Sequence, residues 1–311
     1  MDRVPTTTTT ASDPAVKPSP VVALVKAMRP HQWTKNVLVA AVPLAAGQLF
    51  GVTVLLQTLG AFAAFCLAAS ATYLVNDSAD VEEDRRHPTK RNRPIAAGHI
   101  SQTTALIAAA VLFLAAIGLS LFVAWPLAVV VAAYVAVTLT YSLRLKHEPV
   151  LELVFLALGF LLRAIAGGAA TGIAISSWFL IVAAFGSLFM AAGKRASELD
   201  YALEQRGGDT AGTRKVLTGY TPAYLRFVWG LAATVTVTAY CLWAFEVAEV
   251  PTAVPWAKIS IIPFVLAILR YAVDIDSGRA GAPDEVVLSD RALMLIGALW
   301  VVMFGLAALG V

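Results

Sequence analysis

The chain has 311 residues, of which 59% are hydrophobic and only 14% charged, with a mean hydropathy of +0.76. A soluble domain carries about 25% charged residues, so this composition excludes an ordinary water-soluble fold and predicts an all-α polytopic membrane protein. The net charge of +3 says little, but its distribution along the chain says more.

Residues 1–20 are rich in Thr, Pro and Ala and are expected to form a disordered tail. They are not read as a signal peptide, which would need an apolar core of about 7–15 residues. Residues 21–35 are amphipathic, and Trp33 with the cations Lys26, Arg29 and Lys35 suits a segment at the headgroup level. Nine apolar segments follow, near 36–57, 58–76, 102–123, 126–143, 150–172, 177–193, 223–245, 255–273 and 290–310. Most approach the ~20 residues that a membrane helix needs. Cys66 and Cys241 lie in separate apolar segments without metal spacing and read as small core residues.

The connections alternate in charge. Lys26, Arg29 and Lys35 precede the first segment, and the connection near 50–58 has no Lys or Arg. Residues 77–101 hold Arg85, Arg86, Lys90, Arg91 and Arg93, and the connection near 124 has none. Residues 144–149 hold Arg144 and Lys146, and the connection near 173 has none. Residues 194–222 hold Lys194, Arg195, Arg206, Arg214 and Lys215, whereas 246–254 holds two glutamates and no cation. Arg279 falls in 274–289. By the positive-inside rule the N-terminus is cytoplasmic and the C-terminus outside, and nine helices fit the alternation throughout. The two long connections follow the second and sixth helices and suggest a pseudo-repeat.

Candidate chemistry therefore collects on the cytoplasmic face. Asp77, Asp80 and Asp84 stand at i, i+3 and i+7, on one face if the preceding helix continues, and Asn76 adds an amide oxygen. Such carboxylates read either as a solvated loop or as hard oxygen ligands for Mg²⁺, which takes one or two carboxylates and completes its shell with water and phosphate. Tyr141, Arg144 and Lys146 end the fourth segment, either as interfacial anchors or as a phosphate clamp. Arg163 is an ionisable group inside the fifth segment, where it either pairs with a carboxylate or holds an anion at depth. Lys194 and Glu198 are spaced as a surface ion pair, and Lys194 with Arg195 opens the second charged connection. Carboxylates for Mg²⁺ among many cations at a lipid–water boundary call for a substrate with several phosphates, and for a lipid as second substrate. A transporter is the rival of another class, with Arg163 as its intramembrane site.

The run Asn76-Asp77-x-x-Asp80-x-x-x-Asp84, then Arg91-x-Arg93-Pro94, Tyr141-Ser142, Lys146 and Arg163 in a Gly/Ala-rich helix resembles the UbiA superfamily of intramembrane prenyltransferases. The resemblance covers the chain from about residue 25 to its end. It implies a nine-helix bundle and Mg²⁺ held on a diphosphate by Asn76, Asp77, Asp80 and Asp84, with the three aspartates catalytic. Family members carry a second acidic motif, DxxxD, after the sixth helix. Here that place reads Lys194-Arg195-Ala196-Ser197-Glu198-Leu199-Asp200. With residues 29–36 (Arg-Pro-His-Gln-Trp-Thr-Lys-Asn), this is similar to the decaprenyl-phosphate phosphoribosyltransferase branch. That branch joins phosphoribosyl diphosphate (PRPP) to a polyprenyl phosphate and supplies arabinan synthesis for the cell wall. The resemblance implies Lys90, Arg91, Arg93, Tyr141, Arg144 and Lys146 as contacts of the PRPP phosphates. It further implies Lys194 and Arg195 on the 5-phosphate, and Lys26, Arg29 and Lys35 on the lipid phosphate. The rival enzyme is an aromatic-acceptor prenyltransferase using polyprenyl diphosphate. Residues 21–311 are expected to form one transmembrane catalytic domain with cytoplasmic cap loops at 77–101 and 194–222. The expected setting is the plasma membrane, with the active site on the cytoplasmic side and no nucleic-acid partner. Ala- and Gly-rich helix surfaces favour a homo-oligomer, with a trimer as the expectation.

Overall fold

The structure, a computed structural model, describes residues 19–205, 215–247, 254–281, 286–287 and 289–310. Among them it is helical throughout, with no strand. Most of the expected tail lies outside the described residues, but Ser19 and Pro20 already belong to the first helix. Ser19 accepts a hydrogen bond from the Val22 amide, and Pro20 stands at a first-turn position where its missing N–H is harmless.

That helix, α1 (Pro20–Ala27), turns Ala23 and Ala27 inward and leaves Val21, Val22 and Val25 exposed. An outward valine face suits a helix lying in the bilayer interface. A 3₁₀ helix (Pro30–Ala40) follows and runs into α2 (Ala41–Ala45). Next come α3 (Val52–Ala79), α4 (Val81–Arg86), α5 (Gln102–Val123) and α6 (Trp125–Thr140). A π-helical turn (Tyr141–Leu145) then leads to α7 (Leu151–Thr171), α8 (Ser177–Gln205) and α9 (Pro222–Val247). The chain ends in α10 (Trp256–Ile259), α11 (Ile261–Asp276) and α12 (Arg291–Leu309).

Seven helical stretches among the described residues are long and apolar enough to cross a membrane: Val52–Ala79, Gln102–Val123, Trp125–Leu145, Leu151–Thr171, Ser177–Glu204, Pro222–Glu246 and Arg291–Leu309. The other two expected segments are broken. The first is 3₁₀ and then α, and the eighth is interrupted at Ser260, whose hydroxyl donates to the Ala257 carbonyl just before Pro263 removes an amide donor.

Two further boundaries are corrected. The division between the first two segments falls at 46–51, not at 57–58. Thr58 belongs inside α3 because its hydroxyl donates to the Val54 carbonyl one turn back. The connection expected from 194 starts instead as helix, since α8 continues to Gln205. Ion pairs from Lys194 and Arg195 to Glu198 lie along that continuing turn. Arg206 and Arg214 lie outside the described residues.

The interior is built largely from alanine. One cluster joins α7, α8, α9, α11 and α12, and another joins the 3₁₀ helix to α3, α5, α6 and α7. Close approach explains the small residues. A β-carbon on Gly167 of α7 would stand 2.1 Å from the Val39 carbonyl oxygen, so α7 meets the 3₁₀ backbone directly.

Candidate active site

Three carboxylates gather where α3 ends. Asn76 and Asp77 lie in its last turn, Asp80 forms the joint with α4 (φ −95°, ψ 9°), and Asp84 belongs to α4. The Asp80 amide donates to the Asn76 carbonyl at 3.0 Å and the Asp84 amide to the Asp80 carbonyl at 2.8 Å. The helical spacing thus crosses the joint, and the acids keep a common face.

Each acid meets a cation delivered from elsewhere in the chain. Arg29 Nη2 donates to both Asp77 oxygens, at 2.6 and 2.7 Å. Arg93 Nη1 donates to Asp77 Oδ1 at 3.1 Å and to Asp84 Oδ2 at 2.7 Å. Lys146 Nζ donates to Asp80 Oδ1, while Asp80 Oδ2 accepts from Asn76 Nδ2 at 3.3 Å. Three acids against three cations leave the cluster electrically neutral. It is also largely dry, for the Asp77 and Asp84 side chains are 2% exposed. Burial pushes the Asp84 carboxyl pKa up, with Arg93 pulling the other way.

The placement of Arg29 is strained. Its backbone is left-handed at φ 54°, a conformation that costs a side-chain-bearing residue about 1–2 kcal/mol. Two contacts offset this: the pair of hydrogen bonds to Asp77, and the Tyr73 ring 4.9 Å from the guanidinium carbon.

The end of the bundle holds a second network. Arg195 Nε and Nη2 each donate to Glu152 at 2.8 Å, and Nη1 donates to Glu198 Oε2 at 2.6 Å. Glu152 is fully buried and Arg195 2% exposed. Tyr220 accepts from the Val150 amide at 2.7 Å, and its hydroxyl lies 3.5 Å from Glu152. Burial pushes the Tyr220 phenol up to about 12. Val150 (φ 69°, ψ −53°) forms a three-residue turn closed by the Leu151 amide on the Pro149 carbonyl at 2.8 Å. This turn is rare for a branched residue and sits four residues after Lys146.

The structure therefore brings Asn76, Asp77, Asp80, Asp84, Arg29, Arg93 and Lys146 together. Arg91 and Arg144 are exposed on the adjoining connections, with Lys90 and Tyr141 partly buried. Lys194 lies 4.0 Å from Glu198, and Arg195 is turned into the interior. Lys26 is exposed on α1 and Lys35 partly buried on the 3₁₀ helix. Glu152 and Tyr220 were not singled out from sequence. The available signal was that Glu152 is an acid at the start of an otherwise apolar segment.

Arg163 sits in a different setting. Its guanidinium donates to Asn36 Oδ1, the Gly159 carbonyl and the Tyr134 hydroxyl, each at 2.8 Å. The Tyr134 and Phe160 rings lie 4.8 and 5.4 Å from its carbon. Among the described residues this cation has no carboxylate partner, so a neutral cage carries it.

Among the described residues no three His, Cys, Asp or Glu side chains form a ready-made metal cage. Mg²⁺ does not require one, since one or two carboxylates suffice when water and phosphate complete the shell. The acids fit that demand: Asp77 and Asp84 already share one cationic nitrogen of Arg93 between them, and Asn76 backs Asp80.

A family profile described as the UbiA prenyltransferase family matches residues 37–287. A Corynebacterium glutamicum protein named decaprenyl-phosphate phosphoribosyltransferase is 52% identical over 284 residues, covering 89% of this chain and 84% of that one. A Mycobacterium tuberculosis protein of the same name is 50% identical over 291 residues, covering 92% and 94%. Among solved structures, a UbiA homolog from Archaeoglobus fulgidus bound to GPP and Mg²⁺ superposes with a TM-score of 0.67 at 18% identity, covering 93% of this chain and all of that one.

Proposed function

The chain belongs to the UbiA prenyltransferase family and is a transferase, and from that premise we propose that it transfers 5-phosphoribose from PRPP to a long polyprenyl phosphate, decaprenyl phosphate, releasing diphosphate. The product serves arabinan precursor synthesis for the cell wall. The carrying observation is the neutral Asp77–Asp80–Asp84 cluster, with Asp77 and Asp84 buried and Asp80 partly exposed, and with further cations around it at one end of the bundle.

Mg²⁺ held by Asn76, Asp77, Asp80 and Asp84 would supply charge neutralisation to the departing diphosphate. The chain's own residues do the rest. Arg93 and Lys146, freed from the acids, take phosphate oxygens, joined by Lys90, Arg91, Tyr141 and Arg144. Lys194 is the remaining candidate for the 5-phosphate. Arg195, held by two glutamates, positions α7 against α8 instead of touching substrate. Lys26, Arg29 and Lys35 lie on the segment that approaches the lipid phosphate. In the reaction the C1–oxygen bond to diphosphate breaks and a bond forms from C1 to a lipid phosphate oxygen. Attack comes from the opposite face, with inversion. The lipid phosphate is already anionic near pH 7, so no strong general base is required.

The site faces the cytoplasm of a plasma-membrane protein with nine crossings, N-terminus inside and C-terminus outside, assembled as a homo-oligomer, a trimer. An aromatic prenyltransferase reading is disfavoured because Arg195 and its glutamates occupy the ground of the second acidic motif. The test is mass spectrometry of products from purified protein with Mg²⁺. One reaction contains PRPP and polyprenyl phosphate, the other polyprenyl diphosphate and an aromatic acid. Polyprenyl-phosphoribose 5-phosphate in the first is expected, and product only in the second would overturn the proposal.

A further inference from the structure

Only residues 146–150 join the π-helical turn to α7, and they include Lys146, the partner of Asp80. Both ends of this connection are unusual. At its start the Lys146 amide donates to the Tyr141 carbonyl at 3.0 Å, five residues back, in the wide winding of a π turn. At its end Val150 is left-handed (φ 69°), a conformation that a branched side chain resists. Such a backbone persists only where its surroundings hold it.

The holding group at Val150 is Tyr220, 70 positions away in the chain. The buried Tyr220 hydroxyl accepts from the Val150 amide at 2.7 Å. Its own O–H is directed to Glu152 Oε1, 3.5 Å away, which leaves a lone pair for Val150. Arg195 fixes Glu152 in turn, through Nε and Nη2 at 2.8 Å each. The neighbour of Tyr220 adds a second grip. A β-carbon on Gly219 would stand 2.5 Å from Pro149 Cγ, so the backbone there lies directly against the proline ring. This body is itself anchored, for Val216 and Leu217 are buried in the cluster that contains Leu153 and Leu199.

The consequence falls on Lys146. Pro149 locks its own φ, and the Glu148 amide is bonded to the Leu145 carbonyl at 3.1 Å, so little slack separates Val150 from Lys146. Without an acceptor for its amide, the left-handed turn loses what offsets its cost and relaxes to negative φ. The packed helix α7, pressed on the 3₁₀ backbone at Gly167, does not follow. The displacement passes instead into the connection, where Lys146 reaches Asp80.

We propose that Tyr220 is a positioning residue for the transfer reaction: through the Val150 turn it sets the reach of Lys146 to the acidic cluster. This rests on the phosphate-binding role proposed for Lys146. It also gives the buried Arg195–Glu152 pair a purpose beyond joining α7 to α8, since Glu152 aims the hydroxyl that holds the turn.

Two measurements on the full chain in detergent test it. The first needs no substrate. Lysines are acylated with a water-soluble N-hydroxysuccinimide ester, and the modified sites are counted by peptide mass spectrometry. Tyr220→Phe should raise modification of Lys146 about three- to tenfold, the weight of one hydrogen bond, while Lys258 on α10 reacts as in wild type. Gly219→Ala keeps the hydroxyl but presses on Pro149, and it should raise Lys146 modification as well. That second variant decides the matter should Tyr220→Phe fail to fold. Unchanged Lys146 modification in the folded variants would overturn the inference. The second measurement is kcat/KM for PRPP in a double-mutant cycle. Tyr220→Phe alone should lower it about three- to tenfold, but should cost little more when added to Lys146→Met. Losses that multiply in full would mean that Tyr220 does not act through Lys146, and would overturn the inference too. Absence of PRPP turnover in the wild-type protein would count against the transfer reaction, and the acylation result alone would then decide the positioning role.

Discussion

A single nitrogen of Arg93 bonded to two buried acids shows how tightly the site is balanced. Removing one acid upsets both the proposed metal donors and the cation arrangement. Asp80→Ala, at the partly exposed joint, should lower turnover by about 10²–10³-fold, comparable to losing one electrostatic stabiliser, while the protein still elutes as a folded species. Product formation measured beside size-exclusion behaviour checks this, and near-normal turnover would remove the metal assignment. Arg195 makes the opposite prediction. Arg195→Met strands Glu152 in the interior and should cost about 3–5 kcal/mol of stability, read as a lowered melting temperature. Adding Glu152→Leu should restore most of it. A phosphate-contact role would instead weaken PRPP binding and leave melting unchanged. Tyr220 carries a pH prediction. Its folded phenol titrates near 12, above the ordinary value of about 10. Its contribution to stability is therefore fully present below pH 10 and lost as pH rises toward 12. Comparing ultraviolet titrations of wild type and Tyr220→Phe should show one phenol missing at the high end.

At the level of elements, the acidic face was legible because its charges interrupt an apolar run and keep helical spacing. That spacing survived a real break at Asp80 because the amide bonds cross it. The Arg195–Glu152 pair was hidden, since its members stand 43 positions apart and only packing of α7 on α8 joins them. The broken first segment was hidden too, because 3₁₀ and α turns share an apolar pattern. The contact at Gly167 is what fixes it. Gly167→Ala should push the 3₁₀ helix off α7 and lower stability by about 1–3 kcal/mol, the usual range for overpacking, as seen in a thermal melt. Because Arg29 heads that 3₁₀ helix, activity should fall with it.

For the whole molecule, charge alternation led to nine crossings, while seven uninterrupted helices emerge among the described residues. The difference lies in the two segments with internal breaks, which are apolar in sequence but whose backbone is not one helix. Cysteine labelling tests the proposed orientation in intact cells. Ala124→Cys, between α5 and α6, should react with an impermeant maleimide, whereas His87→Cys, beside the acidic cluster, should not. The reverse pattern would turn the bundle over.

The neutrality of the acidic cluster bears on how substrate arrives. Six charges that cancel within a few ångströms cast almost no field at a Debye length, about 8 Å at physiological ionic strength. In the proposed reaction they would hold a polyanion once it has docked but do little to draw it in. The outlying cations Arg91 and Arg144, exposed on the neighbouring connections, carry the long-range attraction. Neutralising those two should flatten the dependence of PRPP association rate on salt, in addition to loosening the hold on its phosphates once bound. The outlying cations thereby serve capture as well as grip, whereas the self-cancelling cluster serves grip alone.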